Sequence, residues 1–267
     1  MKALLCLLFV TSTAAFAQDP GTYLKNFDNK VYSLKSKGVA DFVVDIESSK
    51  LTKQMNDQQV FGKVKEVVFR TYWTAKPERL AIEVEGLPEG FKEVKEELKA
   101  SLLGMMDNLL PPTMAQRFPN YKLSNGTNPK EILAQDTSGA APIPSFVLKF
   151  DKDDKLTEVV GQRPIGTLVI SPVYVKESFT DGRYVLKEQT TVSTEGGQTV
   201  TIKKELDYGN SQGIGVLTGV EVTTEQKGQS GKPVSSTEKL TFKNYKINTG
   251  DALKYFLGEG TKEIKKQ

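Results

Sequence analysis

Histidine is absent from the 267 residues, cysteine occurs once, at Cys6, and tryptophan once, at Trp73. Without histidine and with so little cysteine, the Ser-His-Asp and Cys-His nucleophile systems and the usual zinc sites cannot be built, and no metal is expected. Paired carboxylates or a Ser-Lys pair are the acid–base chemistries left. A disulfide framework is excluded too, so the fold must rest on a hydrophobic core, for which a chain of this size is ample. Charge of one sign is also scarce: 36 Lys and Arg against 33 Asp and Glu give a formal charge of +3, with both signs interspersed. That surface lacks the field of a nucleic-acid binder, and no nucleic-acid partner is expected. Beyond the first ten residues no apolar run is long enough to span a bilayer.

What stands at the start is a secretory leader. Lys2 supplies the positive end, "ALLCLLFV" the apolar stretch and "AFA", ending at Ala17, the small residues of a cleavage site, so residues 1–17 read as a signal peptide with the mature chain beginning near Gln18. Cys6 lies inside the apolar run, too near the start for lipid attachment, and the exported product is cysteine-free. A bacterial periplasm and a soluble monomer are the expected setting.

From Phe42 onward the pattern has period two. In "TVTIKKELDY" Val200, Ile202, Leu206 and Tyr208 fall on one side and Thr199, Thr201, Lys203, Glu205 and Asp207 on the other; "IGVLTGVEVTTE", with Ile214, Val216, Val220 and Val222, repeats the pattern. Such alternation predicts antiparallel strands with one dry face. Turn signals at 151–155, 180–183, 194–198, 208–213 and 227–233 predict consecutive hairpins. The strands are expected near 39–47, 64–74, 79–85, 145–150, 155–161, 166–178, 183–193, 198–208, 214–226 and 236–247. Helical spacing occurs at 20–36 (Tyr23, Phe27, Val31, Leu34), at 89–110 and, weakly, at 250–265 (Leu253, Phe256, Leu257). Residues 124–144, rich in Gly, Pro, Ser and Asn, read as a flexible loop. The expected architecture is mostly β: one mature domain, 18–267, built on a single curved antiparallel sheet in the form of a half-open barrel, with helices across its concave face.

One stretch, "SLLGMMDNLLPP" at 101–112, is unusually greasy. The helix 89–110 starts amphipathic, with Phe91, Val94, Leu98, Leu102, Met105 and Leu109 on one seam, but after Ala100 its outer side also turns apolar through Leu103, Met106 and Leu110, and Pro111 and Pro112 stop it. At roughly 1.5–3 kcal/mol per buried side chain, six such residues represent on the order of 10 kcal/mol and will not stay in water. Either the helix is sandwiched as plain core, or it is a lid over an apolar cavity, or it touches a membrane. Two adjacent Met residues suit a lid, because Met repacks easily.

The order of elements, with "VVFRTYWTAKPERLAIEV" at 67–84 and the closing "LTFKNYKIN" at 240–248, resembles the periplasmic lipoprotein-carrier superfamily of LolA and LolB, which also includes the RseB sensor domain and lipid carriers of the LppX and LprG type. The most specific piece is Trp73-Thr74-Ala75-Lys76-Pro77-Glu78-Arg79-Leu80. The resemblance implies a half-open barrel plugged by helices and a protein that ferries acyl chains, received from an inner-membrane donor and passed to an outer-membrane acceptor. It also implies a lid latch at Lys76, where the carriers have arginine; lysine keeps the charge without the bidentate fork.

The chain is therefore expected to be a non-enzymatic periplasmic carrier of lipid or lipoprotein acyl chains, with no cofactor. Its cavity would be walled by Phe69, Trp73, Leu80, Ile82, Ile202, Leu206, Val220 and Val222 under a lid of Leu102, Met105, Met106 and Leu109. The alternatives are a sensor or scaffold module of the same fold that binds a protein partner, and a carboxylate hydrolase for which no catalytic pair stands out.

Overall fold

The computed structural model describes residues 19–57, 64, 66–227 and 233–258; the expected leader and the end of the third expected helix lie outside them. Helix α1, Pro20–Lys30, begins where Asp19 accepts the Thr22 N–H at 2.8 Å and Pro20 fixes the first turn. It is shorter than the apolar spacing predicts, because Val31 turns extended and bridges to Tyr184. A 3-10 turn at Lys35–Lys37 follows and ends on Gly38, in the left-handed region at φ 73°.

Strands β1 (Asp41–Ser48), β2 (Val68–Ala75) and β3 (Glu78–Glu85) come next, with the short α2 (Leu51–Asp57) between the first two. After α3 (Lys92–Leu103) and α4 (Met114–Arg117) the chain runs through β4 (Tyr121–Asn125), β5 (Glu131–Asp136), β6 (Ser145–Phe150), β7 (Leu156–Gln162), β8 (Thr167–Val175), β9 (Val185–Glu195), β10 (Gln198–Ser211), β11 (Ile214–Lys227) and β12 (Val234–Ile247), and ends in α5 (Asp251–Phe256). All twelve strands form one sheet in the order β3-β2-β1-β12-β11-β10-β9-β8-β7-β6-β5-β4. From β4 to β12 it is a plain meander. Its long hairpins turn on residues that tolerate positive φ: Gly196 and Gly197 at 56° and 79°, Gln212 and Gly213 at 55° and 81°.

The register that joins the two ends of the chain is β1 against β12, with Phe42 opposite Ile247 and Ile46 opposite Phe242. The edge strands β3 and β4 do not pair with each other, so the sheet is not closed into a barrel. Residues 124–144, expected as loop, instead hold the end of β4 and the whole of β5, with Ile132 and Ala134 buried. The strands there are short and bracketed by Gly, Asn and Pro, and that composition masked their alternation.

One face of the sheet carries two cores. Phe42, Val44 and Ile46 of β1, Phe69 and Trp73 of β2, Ile82 and Val84 of β3, Leu206, Val220, Leu240 and Phe242 pack with residues of α3 in the first. Leu24 and Phe27 of α1, Met114 of α4, Ile132, Leu148, Phe150, Leu156 and Val159 make the second. The helices are not confined to this face, as had been expected. Helix α5 lies on the other, where Val43, Tyr72 and Ala252 are buried together and the Tyr72 and Tyr255 rings stack at 3.9 Å. On that outer face Arg70 donates to Asp45 from Nε at 2.8 Å and from Nη2 at 3.3 Å, and to Glu85 at 2.8 Å, while Asn244 donates to Asp45 at 3.0 Å. Burial pushes the Asp45 carboxyl up, but the Arg70 and Asn244 hydrogen bonds outweigh it and hold it below its usual range.

Because the folded Asp45 carboxyl is depressed, its contribution is present above the unfolded value near 3.9 and is lost as pH falls through the lower folded value. Asp45→Asn is therefore expected to flatten the pH dependence of urea unfolding below about pH 4; an unchanged acid limb refutes the assignment. Inside the first core, the Thr71 hydroxyl is fully buried without a hydrogen-bond partner among the described residues. An unsatisfied buried hydroxyl costs about 1–3 kcal/mol, so Thr71→Val should raise the unfolding free energy by on the order of 1 kcal/mol, read by the same titration.

Candidate functional site

The greasy stretch divides among three environments. Helix α3 stops at Gly104, a 3-10 turn runs over Met106–Asn108, and Pro111 and Pro112 follow. Leu102, Met106 and Leu109 are buried in the first core, Met105 and Leu110 pack partly buried against it, and Leu103 stays 49% exposed. The expected continuous helix 89–110 is thus two pieces, broken where Gly104 caps the first.

Of the expected cavity wall, Phe69, Trp73, Ile82, Leu206 and Val220 are buried in contact with these lid residues, Leu80 and Val222 pack partly buried around them, and Ile202 is half-buried on β10. Their space is filled by Leu102, Met106 and Leu109, and none of the eight lines an open hollow described below. Lys76 is exposed to solvent in the β2–β3 turn, and among the described residues no hydrogen bond or ion pair ties it to the lid as the resemblance implies.

The hollow lies further along the same face, between the two cores. A cavity of about 620 Å³ is floored by Phe146 of β6, Leu156 and Val159 of β7, Leu168, Ile170 and Tyr174 of β8, Val185 and Leu186 of β9 and Tyr208 of β10. Its roof is the chain from Asp107 to Phe118 together with Val31 and Tyr32 at the exit of α1. A volume in the range of about 300–1,000 Å³ is that of small-molecule sites, and an apolar lining with a few polar groups is their usual chemistry.

The roof is pinned by caps. Thr113 accepts the Gln116 N–H at 3.2 Å, and the Gln116 side chain accepts the Thr113 N–H at 2.8 Å, a capping box at the start of α4. The Asp28 carboxylate of α1 accepts the Met114 N–H at 3.0 Å; burial raises its carboxyl, against the pull of that N–H. Phe118, Tyr121 and Phe146 close one end as a ring trio with centroids 5.3–5.6 Å apart, and Phe27 packs edge-on to Tyr174 at 5.5 Å at another.

Polar groups at the cavity are few. Tyr208 donates its hydroxyl to the Leu186 carbonyl at 2.9 Å, and burial raises its phenol. Burial pushes Tyr174 up to about 12, and its hydroxyl meets no hydrogen-bond partner among the described residues. Gln189 lines the cavity and stands opposite Lys204 in the β9–β10 register. Arg117 and Asp107 face each other across the roof at 3.8 Å. A second hollow, of about 680 Å³, is lined by charged groups such as Lys30, Lys152, Asp153, Asp154, Lys176 and Arg183. There Asp154 accepts from Tyr23 at 2.6 Å and Lys30 at 3.0 Å and pairs with Lys130, so its charge is spent on fixing α1 to the β6–β7 turn.

Among the described residues no group of three or more His, Cys, Asp or Glu is placed to hold a metal ion, and no helix is long and apolar enough to cross a membrane. What the main cavity can do is enclose an apolar molecule. Sequence reasoning identified the strands that line this cavity, whereas the wall residues it named lie mostly in the part of the sheet that packs with α3; the run Leu168, Ile170 and Tyr174 with the α1 seam was the signal for this one. No protein-family model, no curated protein and no solved structure matches the chain, and nothing in those comparisons identifies the lipoprotein-carrier superfamily.

The two adjacent methionines differ in burial, Met106 lying inside the first core and Met105 half-buried at its edge. Met106→Glu places a charge in the first core and is expected to cost at least about 3 kcal/mol, whereas Met105→Glu, half-buried, should cost about 1 kcal/mol. Equal effects in urea unfolding would contradict the packing described.

Proposed function

We propose that this chain is an exported, non-enzymatic carrier that binds an acyl chain of a lipid or lipoprotein by burial and moves it between the two membranes of a periplasm. The observation that carries the reading is the apolar cavity of about 620 Å³ under the Asp107–Phe118 roof. Binding of this kind requires no titrating nucleophile, and the absence of histidine is no handicap to it. The unclosed sheet fits the half-open barrel of the lipoprotein carriers, the family that the residues around Trp73 and Phe242 resemble; in that reading an inner-membrane donor loads the cavity and an outer-membrane acceptor empties it.

The buried lid residues favour a second reading, a scaffold of the same fold that binds a protein and no lipid. Native mass spectrometry of the protein extracted from its own periplasm without detergent separates the two. A co-purifying acyl-bearing adduct is expected, and an empty protein that also refuses an added fluorescent fatty acid overturns the carrier. Ile170→Trp, which fills the floor of the cavity, should lower fatty-acid affinity at least about tenfold while circular dichroism shows the same sheet.

A further inference from the structure

Both ends of the main cavity are closed by aromatic rings backed by a glycine. At the β6 end Phe146 stands opposite Gly161 of β7, and a Cβ at that glycine would lie 2.9 Å from the Phe146 ring and 3.0 Å from the Ile143 side chain. Only bare backbone lets the ring settle so close to the sheet, where Phe118 and Tyr121 hold it edge-on at 5.3 and 5.5 Å. At the β10 end Tyr32 and Tyr208 line the cavity and both pack on Phe179, with centroids 5.4 and 5.8 Å away. The Phe179 ring takes the place that a side chain at Gly215 would need, and Tyr32 donates to the Gly215 carbonyl at 2.8 Å. Between the two ends lies the β8 row of Leu168, Ile170, Pro172 and Tyr174. At about 3.4 Å per residue this row is about 20 Å long.

A methylene in a liquid-like chain takes about the room of a water molecule, about 30 Å³, so a cavity of about 620 Å³ holds on the order of 20 of them. Carbons joined by bonds of about 1.5 Å advance about 1.25 Å each in an extended chain, and about 20 Å of floor therefore takes about 16. Spread over that length the volume gives a cross-section of about 30 Å², enough for one chain of about 24 Å² and too little for two. We propose that the cavity gauges its ligand: it admits one straight acyl chain of about 14–16 carbons, from a fatty acid or another single-chain lipid, and Phe146 sets the limit of length. This rests on the acyl-chain reading and adds to it the number and length of the chains. A lipid anchor with several chains would enter with one of them.

Saturated fatty acids from decanoate to eicosanoate, each below its aggregation limit, are titrated into the exported protein against a fluorescent fatty acid. Affinity is expected to rise about three- to fourfold per added carbon, as burial of a methylene allows, and to stop rising beyond about 14–16 carbons. Hexadecanoate is expected to bind at least about tenfold more tightly than 2-hexyldecanoate, an isomer that divides the same carbons between two chains. Phe146→Ala should move the limit about two to four carbons longer, with Phe146→Leu as the milder variant should the alanine form fold poorly. Gly161→Ala, which drives the ring off the sheet toward the cavity, should move the limit the other way. Affinity that keeps climbing to eicosanoate, equal binding of the two isomers, or a limit that none of these variants moves overturns the inference while the acyl-chain reading stands. If no fatty acid binds, the acyl-chain reading fails, and this inference with it.

Discussion

A twelve-stranded sheet with one dry face sets the problem that everything else in this molecule answers. At about 4.8 Å between strands that face is roughly 50 Å across, whereas one helix covers about 10 Å. Five helices are present among the described residues; α2 and α4 are only seven and four residues long, and α5 sits on the opposite side. Cover is therefore short. The sheet meets the shortage by packing helices at its two ends, α3 over β1 to β3 and α1 with α4 over β5 to β7, and the stretch between is roofed by a loop. The cavity is what remains when two separate cores are built on one continuous surface.

The joint that makes this possible is β1 against β12. Without it, β1 to β3 would be a three-stranded sheet and β4 to β12 a nine-stranded meander, each with exposed edges. Asp41 reinforces the joint by accepting the Gly250 N–H at 3.0 Å, and Asn248 does so by accepting the Ala40 N–H at 2.7 Å. A bulge on β12, opposite Val43 and Asp45, lies in the joint itself, and one on β11, opposite Asp207 and Tyr208, lies in the next but one pair; both add local twist.

Most of the strands were legible because period-two patterning and positive-φ turn residues act locally, as the Gly196–Gly197 and Gln212–Gly213 hairpins show. Strands β4 and β5 were not, since five or six residues bounded by Gly, Asn and Pro carry too little alternation to outweigh their composition. The greasy stretch was read correctly as apolar on two sides, but hydropathy does not say whether such residues enclose a space or fill one. That depends on the break at Gly104, which divides the stretch between α3 and the 3-10 turn that carries Met106.

Access to the cavity follows from the same division. Lifting α3 would expose Leu102, Met106 and Leu109, each worth about 1.5–3 kcal/mol of burial, and would leave the Trp73 side of the core uncovered. Displacing α4 instead exposes one large buried side chain, Met114, and breaks the Asp28 contact to its N–H. Helix α1 would stay in place throughout, fixed by Tyr23 and Lys30 on Asp154 and by the bridge from Val31 to Tyr184. The cheaper opening is therefore the short α4 roof and not the long helix, so that on the proposed carrier reading a ligand would exchange beside Arg117.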